Sequence, residues 1–86
     1  MLITVRLFGQ LKSLANNQPE LSFTLSHGQQ VRNLVEAVEA AYPMIGELIH
    51  KKKVLISVNH EIAHQDTMIQ DGDEVALLPP FAGGAL

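Results

Sequence analysis

Side chains that commonly carry out chemistry are sparse in this sequence of 86 residues, which contains no cysteine. Without a thiol, the chain has no disulfide, no thiolate nucleophile and no cysteine-ligated zinc site. Two of its four histidines, His60 and His64, have a spacing that suits a metal ion on a helix. They fall in a predicted turn and edge strand, where that spacing separates them by roughly 13 Å. We therefore interpret them as surface residues, assign no role to His27 or His50, and predict no metal site.

Two clusters of charged residues have ordinary structural interpretations. Asp71-Gly72-Asp73-Glu74 lacks the ligand spacing of a calcium loop, and it predicts a sharp turn in which Gly72 takes a positive φ. Lys51-Lys52-Lys53 is the only basic cluster and is typical of a solvated loop. With a net charge of −3 and six Lys and Arg residues, the chain lacks the basic surface that binds nucleic acid, so we predict no nucleic-acid partner.

The C-terminal residues differ from the polar terminus that an inert tail would have. Pro79-Pro80 ends the last predicted strand, and Phe81-Ala82-Gly83-Gly84-Ala85-Leu86 follows with neither alternation nor helical spacing. Glycines let a backbone enter a narrow channel, and the stretch from Phe81 to Gly84 spans up to about 13 to 14 Å. Residues 81–86 are therefore predicted to be a flexible tail, long enough to deliver a terminal carboxylate into another protein's active site. A glycine pair by itself is a weak signal for such a carrier.

Hydrophobic periodicity indicates the elements that must position this tail. Alternation and β-branched runs predict strands at Leu2–Phe8, Glu20–Ser26, Val54–Val58, Ile62-Ala63 and Glu74–Leu78. Apolar residues at spacings of three and four predict one main helix from Val31 to Tyr42, ended by Pro43, with short helical turns at 11–14 and 44–50. This order of elements predicts a compact α+β fold, in which one helix crosses one face of a mixed sheet and the other face is uncovered.

A chain of this length forms one domain, because it cannot bury enough surface for two cores. We predict a domain body at residues 1–80 and the tail at residues 81–86. No apolar run approaches the roughly 18 residues of a membrane helix, and Met1 leads directly into a predicted strand. These features predict a soluble, cytoplasmic protein that has no membrane partner.

Several of these motifs resemble the MoaD branch of the MoaD and ThiS sulfur carriers. The most specific part runs from Asp71 through Pro80 to Gly83-Gly84, and Val58-Asn59 precedes it. Other residues that resemble the family in order and spacing are Val5–Gly9, Leu11, Leu14, Gly28, Val31, Leu34, Tyr42 and Pro43, so the resemblance covers nearly the whole chain. It implies the ubiquitin-like β-grasp fold, a mixed sheet of about five strands with one main helix on one face, which agrees with the predicted order of elements.

The resemblance also implies a function in molybdenum cofactor biosynthesis. In this family an E1-like (MoeB-like) enzyme adenylates the C-terminal glycine carboxylate, which is then exchanged for a thiocarboxylate, and ATP and Mg²⁺ belong to that enzyme. The small subunit of molybdopterin synthase inserts this end into a MoaE-like large subunit, where its sulfur is added to a pterin precursor. The resemblance therefore implies a carrier that binds no cofactor and is not an enzyme on its own. Gly84 would be its reacting residue, and Phe81, Ala82 and Gly83 would form the tail.

Three apolar residues are candidates for the partner interface. Phe8 and Leu78 fall on the strand side opposite the predicted core, and Phe81 lies past the last strand. An exposed aromatic residue such as Phe8 is the type of anchor that dominates binding energy. The alternative is that Phe8 and Leu78 help to cap the core.

Ala85-Leu86 departs from the family pattern, in which the active form ends at the second glycine. We predict that these two residues are removed, because they would misplace the reactive carbonyl of Gly84. Two alternatives for the function stay open. One is a carrier that delivers sulfur to thiazole, cysteine or tRNA, although Pro79-Pro80 and the long segment between the helix and the third strand favour the molybdopterin branch. The other is a ubiquitin-like modifier or binding module whose end is conjugated to lysine or never activated.

Overall fold

The computed structural model of the protein describes residues 1–26 and 29–79. Within these residues, five strands and three helices follow one another along the chain. They are β1 (Leu2–Leu7), α1 (Gln10–Leu14), β2 (Glu20–Thr24), α2 (Val31–Ala41), α3 (Pro43–His50), β3 (Leu55–Val58), β4 (Glu61–Ile62) and β5 (Glu74–Leu78). The predicted α+β class and the predicted order of the strands and the main helix are confirmed.

The five strands form one mixed sheet in the order β2-β1-β5-β3-β4. β1 pairs antiparallel with β2 and parallel with β5, so that Val5 lies opposite both Leu21 and Val75. β3 pairs antiparallel with β5 and with β4, and Ser57 lies opposite Ala76 and Ile62. The first and last strands are therefore neighbours inside the sheet, and both end at the same edge because they are parallel.

The helices cover one face of this sheet and form the core with it. Alternate residues of the two parallel strands point toward the helices, and these residues are at most 2% exposed: Ile3, Val5, Leu7, Val75 and Leu77. α2 contributes a stripe of buried residues at helical spacing: Val31, Leu34, Val35 and Val38. Because burying one such side chain contributes about 1.5 to 3 kcal/mol, this layer is the main source of stability.

α3 confirms the predicted helical segment at 44–50 and begins one residue earlier, at Pro43. Pro43 lies in its first turn, where the missing backbone N–H has no helical partner to lose. Ile45 and Ile49, one turn apart, point into the core. α3 also packs closely on α2, since a Cβ atom at Gly46 would lie 2.6 Å from Cβ of Glu39. The close contact between the two helices makes α3 part of the layer that covers the sheet.

Other element bounds differ from the predictions by one or two residues. β1 ends at Leu7, so that Phe8 lies just beyond it, and β4 is Glu61–Ile62 rather than Ile62-Ala63. Asn59 and His60 form the predicted turn between β3 and β4, with φ values of 51° and 73°, and Gly72 has the predicted positive φ, at 87°. In the described ranges, the helices are too short and too polar to cross a membrane.

Candidate docking face and tail root

The face of the sheet opposite the core carries no helix within residues 1–26 and 29–79. Residues that alternate with the core positions point to this side, among them Arg6 on β1, Phe8 just after it, and Ala76 and Leu78 on β5. Together with Ile62 of β4, they line a groove of about 230 Å³. We call this side of the sheet, which these five residues mark, the open face.

Phe8 and Leu78 lie side by side on the open face, at the edge where β1 and β5 end. The parallel register places Leu7 opposite Leu77, so the next residues of the two strands are neighbours on the other side of the sheet. Phe8 is 38% exposed and Leu78 is half-buried, and neither belongs to the hydrophobic core. This placement is the one expected of interface residues, and their contact with a partner stays a prediction.

Arg6 and Glu74 form an ion pair beside Phe8. Arg6 Nη1 donates a hydrogen bond to Glu74 Oε2 at 3.1 Å, and the guanidinium carbon lies 5.7 Å from the centre of the Phe8 ring. Both charged side chains are partly exposed, so the pair contributes only about 0.2 to 1 kcal/mol to folding. The pair also places a positive charge over one face of the Phe8 ring, and this contact favours the present orientation of the ring.

The sequence gives no direct sign that Glu74 belongs to this cluster. Alternation along β1 places Arg6 and Phe8 on one side, but Arg6 and Glu74 are 68 positions apart, and only the pairing of β1 with β5 brings them together. Leu55 and Ile62 also extend the apolar part of the open face, at 40% and 60% exposure. The sequence could have identified these two as residues of the open face, because both lie on predicted strands at positions that alternate with core residues.

A hydrogen-bonded corner fixes the start of β5. Asn59 Nδ2 donates to Asp73 Oδ1 at 3.1 Å, and Asn59 Oδ1 accepts a hydrogen bond from the backbone N–H of Glu74 at 3.1 Å. The other carboxylate oxygen of Asp73 accepts a hydrogen bond from the backbone N–H of Gln70 at 2.8 Å. Asn tolerates the positive φ at this turn better than most residues do. The corner ties the β3–β4 turn to β5, and so it helps to set the register in which β5 carries Pro79 to the sheet edge.

The tail root is Pro79, the last described residue before the predicted tail, which packs against the loop that follows β1. A Cβ atom at Gly9 would lie 3.0 Å from Cγ of Pro79, and Gly9 has a φ of 61°. Glycine suits both conditions because it has no side chain and tolerates positive φ. The predicted domain boundary after residue 80 lies outside the described residues. The predicted tail and interface residues beyond it also lie outside them: Phe81, Ala82, Gly83 and Gly84.

Two ionisable pairs lie on the helix-covered side, Glu39 with His50 and Glu47 with Lys51. The pKa of the Glu47 carboxyl is lowered because Lys51 hydrogen-bonds to it and places a positive charge 2.9 Å away. His60 and His64 are exposed, and no group of three or more His, Asp or Glu side chains that could hold a metal ion occurs in the described parts of the chain.

The open face provides an apolar groove with an aromatic ring at its edge. This arrangement is suited to binding another protein.

Comparison with known proteins identifies the family of this chain. The sequence profile of the ThiS family matches residues 5–84. The chain belongs to the ThiS family. The matched range includes the five residues that mark the open face and also the tail root, and its last residue is Gly84.

Relatives of this ThiS family member cover nearly its whole length. The molybdopterin synthase sulfur carrier subunit of Mycobacterium tuberculosis is 34% identical over 82 residues, which are 95% of this chain and 96% of that protein. A structure from Pyrococcus furiosus, assigned as molybdopterin converting factor subunit 1, is similar with a TM-score of 0.82 at 26% identity, covering 94% of this chain and 99% of that one. The complex of subunits 1 and 2 of molybdopterin-converting factor from Helicobacter pylori gives a TM-score of 0.66 at 25% identity, covering 98% and 100%. These likenesses confirm the predicted ubiquitin-like β-grasp fold.

Proposed function

We propose that this chain is the sulfur carrier subunit of a molybdopterin synthase and acts in molybdenum cofactor biosynthesis. The observation that carries the proposal is the 34% identity, over nearly the full length of both proteins, to a subunit of that name from Mycobacterium tuberculosis. The likeness to a complex of two molybdopterin-converting subunits supports a large subunit as the partner. We place the reaction in the cytoplasm as part of the same proposal.

The sulfur in this proposal is carried on the terminal carbonyl of Gly84. An E1-like enzyme uses ATP and Mg²⁺ to convert the Gly84 carboxylate into an acyl-adenylate and releases pyrophosphate. Hydrosulfide then attacks the carbonyl carbon of Gly84: the new C–S bond forms as the C–O bond to AMP breaks, and the products are a thiocarboxylate, AMP and a proton. AMP leaves because it is a far better leaving group than the oxygen of a carboxylate. With no cysteine in the sequence, this carbonyl is where the chain can hold transferable sulfur.

Removal of Ala85-Leu86 precedes activation in this proposal. The family match ends at Gly84, so the two residues beyond it are not part of the shared pattern. While they are attached, the carbonyl of Gly84 belongs to an internal amide and has no free carboxylate oxygen for ATP to activate. The active carrier is therefore the form that ends at Gly84.

Docking through the open face is the second part of the proposal. Phe8 and Leu78 lie at the edge from which Pro79 leads toward the tail, so a large subunit that covers the open face also meets the tail. Phe8, with its ring stacked on a paired guanidinium, is the anchor of this interface. Phe81 extends the apolar contact beyond the strand. The carrier supplies position and the large subunit supplies the reaction, so the chain binds no cofactor and is not an enzyme on its own.

A sulfur-transfer assay tests this function. The thiocarboxylated chain ending at Gly84 is mixed with the large subunit and the pterin precursor, and formation of the dithiolene is measured. We expect product in proportion to the thiocarboxylate added. A matched chain that ends at Gly84 with an ordinary carboxylate is the control and should give none. The proposal is wrong if the thiocarboxylated chain gives no product, or if the form ending at Leu86 supports the reaction at the same rate.

A further inference from the structure

A second surface lies at the tail root and shares no residue with the groove on the open face. The loop after α3 contains Lys51, Lys52 and Lys53, which line a groove of about 580 Å³ together with Leu11, Leu48 and Pro79. Three of the six Lys and Arg residues of a chain with net charge −3 are therefore in one place. Because Pro79 is the last described residue before the tail, the groove begins where the tail begins.

The backbone of this loop is strained at Lys52, whose φ is 60°. The N–H of Lys52 donates to the carbonyl of Ile49 at 3.0 Å, and the N–H of Lys53 donates to the carbonyl of Leu48 at 2.9 Å. These two hydrogen bonds form a Schellman motif at the end of α3, in which glycine is favoured at the left-handed position because a Cβ atom is penalised there. A lysine at this position is therefore less stable than a glycine would be.

The helix dipole does not account for this choice of residue. Basic residues near the C-terminal end of a helix are stabilised by the dipole, and Lys51 occupies such a position and also pairs with Glu47 at 2.9 Å. Lys52 and Lys53 are exposed, and they form no ion pair with any residue of the described chain. Strained backbone positions that persist in a structure are concentrated at functional surfaces. Lys52 thus keeps an unpaired charge at a position where glycine would be the more stable residue.

We propose that Lys51-Lys52-Lys53 is an electrostatic docking site for an acidic surface on the large subunit that receives the tail. The inference rests on the proposed function, because it takes the destination of the tail as the partner. A protein that takes in the residues after Pro79 comes within reach of the three lysines, which line the same groove. Acidic side chains on that protein would accelerate the encounter and favour the orientation in which the tail points inward.

Association kinetics with the purified large subunit test the inference. Lys52→Gln and Arg32→Gln each remove one positive charge from an exposed residue. The two variants therefore have the same net charge and differ in the site from which the charge was removed. We expect Lys52→Gln to slow association about twofold to threefold at low ionic strength, and Arg32→Gln to leave it unchanged. Replacing all three lysines by glutamine should slow association about tenfold and weaken its dependence on salt.

Lys52→Gly separates docking from folding. Because glycine tolerates the φ of 60° at this position, we expect a melting temperature equal to or above that of the wild type. Association should nevertheless be slowed as it is in Lys52→Gln. If Lys52 had only a structural role, a variant that keeps its stability would also keep its association rate.

Equal association rates and equal salt dependence for the wild type and the triple variant would overturn the inference. Phe8→Ala, on the open face, distinguishes this result from failure of the proposed function. If Phe8→Ala weakens binding and the triple variant does not, the lysine site alone is wrong. If neither variant changes binding of the large subunit, the proposed docking is wrong as well.

Discussion

The two faces of the sheet have opposite exposure although their residues alternate along the same strands. On the covered face, Ile3 and Val5 are completely buried, whereas on the open face Phe8 is 38% exposed and Ile62 is 60% exposed. Burying apolar surface is favourable by about 25 cal/mol per Å², so the open face leaves available stabilisation unused. The difference indicates that the covered face stabilises the fold, and the proposed function assigns the open face to the partner.

The largest expected effect of a substitution is on the covered face. Ile3→Ala removes most of a fully buried side chain and leaves a cavity between the sheet and the helices. We therefore expect the free energy of unfolding to fall by about 2 to 5 kcal/mol in chemical denaturation followed by circular dichroism. Leu2→Ala is the matched control, since Leu2 precedes Ile3 on β1 and is 54% exposed. It should change stability by less than about 0.5 kcal/mol. Equal losses in the two variants would contradict the division between the faces.

Phe8→Ala should show the opposite pattern, with a loss of binding rather than of stability. Removing an aromatic anchor from an interface weakens binding by about 2 to 4 kcal/mol, which is a rise in Kd of at least about thirtyfold. Titration calorimetry with the large subunit measures this change, while the free energy of unfolding should fall by less than about 1 kcal/mol. A loss of stability as large as that of Ile3→Ala would place Phe8 in the core and contradict its assignment to the interface.

A smaller effect is expected where the two helices of the covered layer touch. Gly46→Ala would place a Cβ atom 2.6 Å from Cβ and Cγ of Glu39. Carbon atoms that are not bonded to each other do not approach so closely. α3 must then move away from α2, and we expect a loss of about 1 to 3 kcal/mol in thermal or chemical denaturation. Alanine has a higher helix propensity than glycine by about 1 kcal/mol. A stabilised variant would therefore show that the two helices are not in this close contact.

The smallest expected effect on stability is that of the ion pair on the open face. A double-mutant cycle with Arg6→Gln and Glu74→Gln should give a coupling energy of about 0.2 to 1 kcal/mol for unfolding, decreasing with added salt. In binding to the large subunit, either single substitution should raise Kd, because the ring of Phe8 is then less restricted. If neither substitution changes Kd, the pair does not orient Phe8 for binding.

The alternation of apolar and polar residues along each strand was sufficient to predict which strand residues face the core. Alternation is set by backbone geometry, so it separates Ile3 and Val5 from Arg6 and Phe8 without knowledge of the rest of the fold. The lateral order of the strands depends on the path of the whole chain, which local periodicity does not contain. The contact between Arg6 and Glu74 follows from that order, and for this reason it could be seen only in the structure.

The loop after α3 shows the same division between local and non-local information. Three consecutive lysines predict a solvated loop, and the structure confirms that they are exposed. The positive φ of Lys52 and its place in a groove with Pro79 depend on where α3 ends and against what it packs. The role of Gly84 stays a prediction, and the family match ends at that residue.

The mass of the intact chain, after expression together with its activating enzyme, tests most directly the central claim that this protein carries sulfur on its terminal carbonyl. We predict a chain that ends at Gly84 and is heavier than the corresponding carboxylate by the difference between one sulfur atom and one oxygen atom. Omitting the activating enzyme should give no added mass. A chain that still ends at Leu86 and has gained no sulfur, in the presence of active enzyme, ATP and a sulfur donor, would contradict the account.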